Sequence, residues 1–445
     1  MSTSLDVPAI PVSREPRPGS PLTDPNSPSS VSKKQSRRAR LVGAIGNGVE
    51  WYDWTIYGLM TPFIASQFFP DTSPLAALLS MFVVFAIGFA ARPLGGYLMV
   101  RFADRTGRRA AMVVSVTCMC AASLGIAVCP PTESIGLAAA GILVFCRLIQ
   151  GLSLGSEQPA ALSYLVETAP RGRVGNFLSF YNSSALIGIL CGSGLGLILF
   201  DIFGKQGMSD FGWRIPFFVG ALLALLAFAV RRHAPERTVP EEMRCERPLR
   251  TMLSDYRPLC VLVAISAACS GTLFFATVTA MPAIATQLGT GGHASDAGTV
   301  MLAALIGQSF MIPVFLIAGW VADRVGPRKV FAVALVVSAV SAAFVFAAMA
   351  NDVIGFVPAQ ILMSIACALF LSGVFHTLIP ELPIGLRFSA LAVFWLIPAC
   401  VFGGLAPIVM AQLAGHGLYA VFGIIISVLM MLAIAALAWY GKRTR

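Results

Sequence analysis

The chain has 445 residues, of which 57% are apolar and only 12% are charged. Soluble proteins carry about twice that charged fraction, so the composition excludes an ordinary soluble protein and indicates a polytopic membrane protein. The net charge of +10 does not indicate a nucleic-acid partner, because the basic residues are dispersed among short loops instead of being gathered on one surface.

Twelve apolar runs, each about 20 residues long and therefore long enough to cross a bilayer, follow one another along the chain. Four of the 31 Lys and Arg residues, Arg92, Arg147, Lys205 and Arg214, lie outside the two tails and the even-numbered loops. By the positive-inside rule, we expect both tails and these loops to be cytoplasmic. The predicted spans lie near residues 41–65, 75–100, 110–130, 138–166, 175–200, 214–231, 258–285, 297–321, 330–350, 354–379, 388–413 and 417–440.

The spans are predicted to form an all-α polytopic membrane protein with two six-helix halves, residues 39–231 and residues 258–440. Residues 1–38 are rich in Pro, Ser and charge, which predicts a disordered cytoplasmic tail. Residues 232–257 are highly charged and are predicted to be a cytoplasmic linker between the halves. Residues 441–445 form a short cytoplasmic tail.

Charged residues lie inside the spans of the first half. Glu50, Arg92 and Glu157 are each about ten residues from the cytoplasmic end of their span, roughly 15 Å at the helical rise. An isolated charge at that depth costs at least about 2.5–3.5 kcal/mol, so we expect these groups to pair or to face a hydrated cavity. Asp53 lies one turn from Glu50 on nearly the same helix face and joins this group.

A buried carboxyl group can exchange a proton when a conformational change alters the balance between desolvation and nearby cations. The candidate proton carriers are therefore Asp53, Glu50 and Glu157, in that order, with Arg92 as their counter-charge. The alternative is a permanent Glu–Arg pair that only fixes helix packing.

A charged Asp-Arg-x-Gly tract ends span two and returns at the end of span eight, 219 residues later (323 − 104). Its aspartate can cap the start of a neighbouring helix, while its basic residues bind the cytoplasmic face or pair with acids. A conformational hinge is the functional interpretation, and a simple topological anchor is the alternative. The hinge residues are Asp104, Arg105, Gly107, Arg108 and Arg109 in the first copy, and Asp323, Arg324 and Gly326 in the second.

Six plus six spans with this repeated hinge resemble the major facilitator superfamily, in which two halves rock about a central cavity. Two departures stand out: Val100 replaces the glycine usual before the first hinge, and span four reads Gly-Ser-Glu157 instead of Gly-Gly-Glu. Four local matches resemble one family within this superfamily, the metabolite:proton symporters, which carry organic acids, shikimate, oxoglutarate and proline-betaine. The matches are Glu50-Trp-Tyr-Asp53-Trp, Arg92-Pro-Leu-Gly95, Arg147-Leu-Ile-Gln150-Gly151 through Glu157, and Trp213-Arg214-Ile-Pro-Phe.

Arg147 in span four resembles the arginine of that family's motif, which implies that it binds an anionic substrate or influences proton release from a carboxyl group. The alternative is that it extends outward or caps span one. Arg92 is the second candidate cation for an anionic substrate. His376 is a possible proton relay, although a lone histidine is more often a hydrogen-bonded structural residue. The other candidate substrate-binding residues are Tyr57, Gln150, Tyr181, Asn182 and Trp395.

These features predict a proton-coupled symporter that imports a small organic acid or related metabolite across the inner membrane of a bacterium. The alternatives are a proton-coupled exporter and a non-transporting sensor or scaffold. We expect a monomer in the lipid bilayer whose partners are the metabolite and protons. The sequence contains no nucleotide-phosphate loop, metal-ligand set or nucleophile with its base, so no cofactor, metal or enzymatic activity is expected.

Overall fold

The computed structural model describes residues 33–106, 108–155, 157–169, 173–231, 248–288 and 297–443. Most of the predicted N-terminal tail and most of the predicted linker therefore lie outside the described residues. Within these ranges the chain forms helices joined by short turns.

The helices before the linker are α1 (Lys33–Phe68), α2 (Pro74–Thr106), α3 (Arg108–Val128), α4 (Thr132–Ile135), α5 (Ala138–Leu154), α6 (Glu157–Thr168), α7 (Val174–Gly207) and α8 (Arg214–Arg231). Those from residue 248 onward are α9 (Pro248–Asp255), α10 (Arg257–Phe275), α11 (Met281–Leu288), α12 (Ala297–Val325), α13 (Pro327–Ala350), α14 (Phe356–Glu381), α15 (Ile384–Ala390), α16 (Leu396–Gly415) and α17 (Tyr419–Arg443). Single π-helical turns lie at Met208–Gly212, Ala276–Ala280 and Leu391–Trp395.

These helices account for the predicted spans. Eight helical segments in the described part of the chain are long and apolar enough to cross a membrane. Three shorter apolar helices, Val113–Val128, Ala138–Ser153 and Arg214–Ala229, correspond to spans three, four and six. Span one is α1, which is less apolar because it begins with several Lys and Arg residues and contains Asn47, Glu50 and Asp53. The prediction of an all-α protein with twelve spans is confirmed.

The packing repeats between the two groups of helices. In the first group α1 packs on α7, α2 on α5 and α3 on α8; in the second, α10 packs on α16, α12 on α14 and α13 on α17. The main contacts between the groups are α7 with α12 and α2 with α16. These contacts join span five to span eight and span two to span eleven. Because spans two and eight correspond in the two halves, as do spans five and eleven, the duplication relates the two contacts to each other.

Close contact between α2 and α5 brings the charged spans of the first half together. Gly151 lies against the carbonyl oxygen of Gly88, and Gly155 lies against that of Arg92, so a side chain at either glycine would overlap the α2 backbone. Small residues permit such close approach in membrane helices. Span four corresponds to α5 and α6, and residue 156 between them lies outside the described residues.

Candidate functional site

Glu50 and Arg92 form an ion pair inside the first half. Arg92 Nη2 donates to Glu50 Oε1 at 2.8 Å, and both side chains are buried. The Arg92 guanidinium lies 4.3 Å from the ring centroid of Trp54 and 4.9 Å from that of Phe89. Ion pairing and cation–π contact both lower the cost of keeping this charge within the membrane-spanning region. The ion pair agrees with the depth estimate from the sequence, which places Glu50 and Arg92 in one layer of the membrane.

Asp53 belongs to a second buried cluster, although it is on the same helix as Glu50. Its Oδ1 accepts a hydrogen bond from Ser123 Oγ at 2.7 Å, and its Oδ2 accepts one from Gln150 Nε2 at 2.8 Å. Gln150 Nε2 also lies 2.9 Å from Ser123 Oγ, so the three side chains form a closed triangle. Both hydrogen bonds that described residues donate to the Asp53 carboxylate come from neutral groups.

Arg147 joins this second cluster through Gln150. Its Nη1 donates to Gln150 Oε1 at 2.9 Å, and its guanidinium lies 3.6 Å from the ring centroid of Tyr57. It also lies 5.2 Å from the ring centroid of Trp54. Trp54 therefore contacts both buried arginines and connects the two clusters.

A cavity lies between helices of the two halves. Of the predicted substrate-binding residues, Arg92, Tyr181, Asn182 and Trp395 line this cavity. The other three, Arg147, Tyr57 and Gln150, are instead packed in the cluster around Asp53. The structure thus separates the predicted set into a cavity wall and a neighbouring hydrogen-bonded cluster.

Aromatic residues that the sequence did not single out form much of the cavity wall. A phenylalanine in an apolar span has the same sequence signature whether it faces lipid, the helix bundle or a cavity, so no pattern in a single sequence identifies it. The additional aromatic lining residues are Trp51, Phe89, Phe274, Phe275, Phe315 and Phe375.

The second hinge connects the two halves. The Asp323 carboxylate accepts hydrogen bonds from the backbone N–H groups of Gly175 at 2.9 Å and Asn176 at 3.1 Å, and so caps the start of α7. Gly326 begins the turn into α13 with φ +104°, a conformation that favours glycine. The Arg324 guanidinium lies 3.8 Å from the ring centroid of Trp320, on the same helix.

The remaining predicted residues are only partly described. Gly107 lies outside the described residues, as do the side chains of Asp104, Arg105, Arg108, Arg109 and Glu157, although Glu157 begins α6. Their proposed roles stay predictions. Among the residues that the structure describes, no group of three His, Cys, Asp or Glu side chains is arranged to hold a metal ion.

His376 forms a polar contact between the halves. Its Nε2 lies 3.1 Å from the Ser179 hydroxyl, which in turn donates to the carbonyl oxygen of Phe315 at 2.8 Å. Because the hydroxyl has one hydrogen, His376 Nε2 is the donor in its bond to Ser179. This contact gives His376 a structural role between α14, α7 and α12, while the relay stays a hypothesis.

Replacing Asp323 with Asn is expected to weaken the contact between the halves at the start of α7. The amide has no charge to complement the helix N-terminus and offers a single acceptor oxygen, so we expect a loss of about 1 kcal/mol of folding free energy. Thermal unfolding of the purified protein measures this loss. Asp71→Asn, in the exposed turn after α1, is the matched control, and equal melting temperatures for the two variants would contradict the cap.

Comparisons with known proteins identify the family. The model of the Major Facilitator Superfamily matches residues 43–316. The alpha-ketoglutarate permease of Escherichia coli (strain K12) is 31% identical over 88% of this chain and 92% of that protein. The citrate-proton symporter of Klebsiella pneumoniae is 29% identical over 84% of this chain and 85% of that protein. The proline/betaine transporter of Escherichia coli (strain K12) is 28% identical over 85% of this chain and 77% of that protein.

Solved structures show the same fold. A partially occluded inward-open structure of the xylose transporter XylE from E. coli superposes with a TM-score of 0.67 at 16% identity, over 89% of this chain and 97% of that chain. This likeness extends over both halves, and its low identity makes it a statement about fold alone. The repeated hinge, the duplicated packing and these relatives together lead to one conclusion: the chain belongs to the major facilitator superfamily, among its metabolite:proton symporters.

Proposed function

We propose that the protein is a proton-coupled symporter that imports a small organic acid or related metabolite across the bacterial plasma membrane by alternating access. The observation that carries this proposal is the pair of buried charged clusters beside a cavity between the halves. A cavity next to a carboxyl group that can change its proton occupancy meets the basic requirement of proton coupling. The names of the relatives, which include a citrate-proton symporter, support it.

In this proposal Asp53 is the first candidate proton carrier. Its described partners Ser123 and Gln150 are neutral, so protonation would not require a direct ion pair to break. Arg147 would act through Gln150 by holding the amide that binds the carboxylate. Glu50 would exchange its proton only when Arg92 moves away, and Glu157 is the third candidate.

The proposed halves, residues 39–231 and 258–440, would rock about the cavity with both termini in the cytoplasm and the protein acting as a monomer. The contacts of α7 with α12 and of α2 with α16 would then open and close during the cycle. The hinge contact between Asp323 and the start of α7 is one that can form in one conformation and break in the other. Linker residues 232–257 would permit the motion by joining the halves only on the cytoplasmic side.

Transport in proteoliposomes tests this function. A thermal-shift screen of the purified protein against organic acids, betaines and aromatic acids first identifies a stabilising ligand. That ligand is then offered outside vesicles with an alkaline interior, and internal pH is followed with a dye. We expect substrate accumulation together with a substrate-dependent fall in internal pH. A protonophore should abolish the accumulation, because it dissipates the proton gradient. Accumulation that is insensitive to the protonophore would contradict the proposal. So would transport that occurs only when protons move in the direction opposite to the substrate.

A further inference from the structure

One wall of the cavity is a continuous aromatic surface. The ring centroids of Phe89 and Phe275 are 4.6 Å apart, those of Trp51 and Phe274 are 4.9 Å apart, and those of Phe274 and Phe275 are 5.1 Å apart, all edge to face. Also in the second half, the ring centroids of Phe375 and Trp395 are 5.0 Å apart. Such a surface favours a flat apolar group, which gains both burial and ring contacts there.

The same cavity has unused hydrogen-bond donors. Arg92 Nε and Asn182 Nδ2 are buried and have no acceptor among the described residues, although both side chains line the cavity. Arg92 is 4% exposed and Asn182 is 7% exposed. A buried donor without an acceptor is costly, so an oxygen-bearing ligand that reaches these groups would be favoured. A carboxylate accepts hydrogen bonds from both kinds of donor, and its bond to the guanidinium is charge-assisted.

The charge of the cavity limits how many carboxylates it accepts. Arg92 is the one charged side chain among the described lining residues, and Glu50 already neutralises it. A dicarboxylate or tricarboxylate would bring a second or third negative charge that meets aromatic rings instead of a cation. Arg147, the other cation in the first half, is held in the cluster around Asp53 and Tyr57.

From these three observations we propose that the substrate is a monocarboxylate with an aromatic or similarly flat apolar body. Its carboxylate would bind Arg92 and Asn182, and its ring would lie against the Phe274 and Phe275 wall. This inference rests on the proposed transport function and narrows its substrate class.

A substrate with an ammonium group fits the described wall less well. No acidic side chain is among the lining residues described, so an ammonium would have no carboxylate partner within the cavity. The ring of Phe89 already has the Arg92 guanidinium 4.9 Å from its centroid. An ammonium would therefore depend on cation–π contact alone.

Calorimetric titration of the purified protein in detergent tests the substrate class. The probes are 3-phenylpropionate, its alcohol 3-phenylpropan-1-ol, 2-oxoglutarate, citrate and glycine betaine. We expect 3-phenylpropionate to bind at least about tenfold more tightly than each of the others, because only this probe supplies both one carboxylate and a buried ring. Tighter binding of 2-oxoglutarate, citrate or glycine betaine, or no binding of 3-phenylpropionate, would overturn the proposal.

Two matched variants locate the binding. Phe275→Leu removes a ring from the cavity wall, and we expect about three- to tenfold weaker binding of 3-phenylpropionate. Phe344→Leu makes the same change on an exposed face of α13 and should bind 3-phenylpropionate as the unmodified protein does. Equal affinities for the two variants would place the ring elsewhere and overturn the assignment of the wall.

Vesicle transport separates the substrate class from the transport function. Protein-free vesicles correct for passive entry of the weak acid. Accumulation of 2-oxoglutarate or glycine betaine, but not of 3-phenylpropionate, under a proton gradient would overturn the substrate class and leave proton-coupled transport intact. Tight binding of 3-phenylpropionate without gradient-driven accumulation of any probe would uphold the binding class and contradict the transport function.

Discussion

Replacing Asp53 with Asn is expected to abolish proton-driven accumulation while substrate exchange across the membrane continues. The amide cannot take up a proton at neutral pH, yet it has nearly the shape of the carboxylate and can still bind Ser123 and Gln150. Each transported proton supports at most about tenfold accumulation per pH unit of gradient, so the variant should fall from that limit to an inside-to-outside ratio of about one.

Two assays on the same proteoliposomes measure this effect. Uptake under an imposed pH gradient reports coupling, and exchange of labelled for unlabelled substrate reports the conformational cycle without coupling. Asp71→Asn, in an exposed turn after α1, is the control that makes the same chemical change away from the cavity. Full gradient-driven accumulation in Asp53→Asn would transfer the proton role to Glu50 or Glu157.

Replacing Arg92 with Met is expected to destabilise the protein strongly. The change breaks the ion pair between Arg92 and Glu50 and also removes the contacts of the guanidinium with Trp54 and Phe89. Breaking a buried ion pair by removing one partner typically costs about 3–5 kcal/mol. Thermal unfolding and the yield of monodisperse protein measure the loss.

The double variant Glu50→Gln, Arg92→Met separates packing from binding. With both charges of the pair removed, neither is left buried without the other, so most of the lost stability should return. Substrate binding should not return, because the cavity has lost the cation that we propose for the carboxylate. Recovery of both stability and transport would instead show that the pair only fixes helix packing, the alternative left open by the sequence.

The spans and the duplication could be predicted from the sequence, because both appear in it as linear patterns. Apolar runs of the length of a bilayer mark the spans, and the repeated hinge marks the halves. The same counting placed Glu50 and Arg92 at one depth, and the structure pairs them at 2.8 Å. Depth along a helix follows directly from residue number and helical rise.

Rotation about the helix axis was harder to predict. Glu50 and Asp53 are one turn apart, yet Glu50 binds α2 while Asp53 binds α3 and α5. Arg147 is likewise a predicted substrate-binding residue, but it is held among Gln150, Tyr57 and Trp54. Which neighbour a side chain meets depends on how tightly helices pack around it, and the sequence does not record those interhelical distances.

Trp54 is the residue through which the two buried clusters touch. Its ring has the Arg92 guanidinium at 4.3 Å and the Arg147 guanidinium at 5.2 Å. A displacement of either arginine changes the electric field at the same indole. The emission wavelength of Trp54, isolated by replacing the other tryptophans with Phe, therefore reports optically on events at Glu50 and at Asp53 in a single signal.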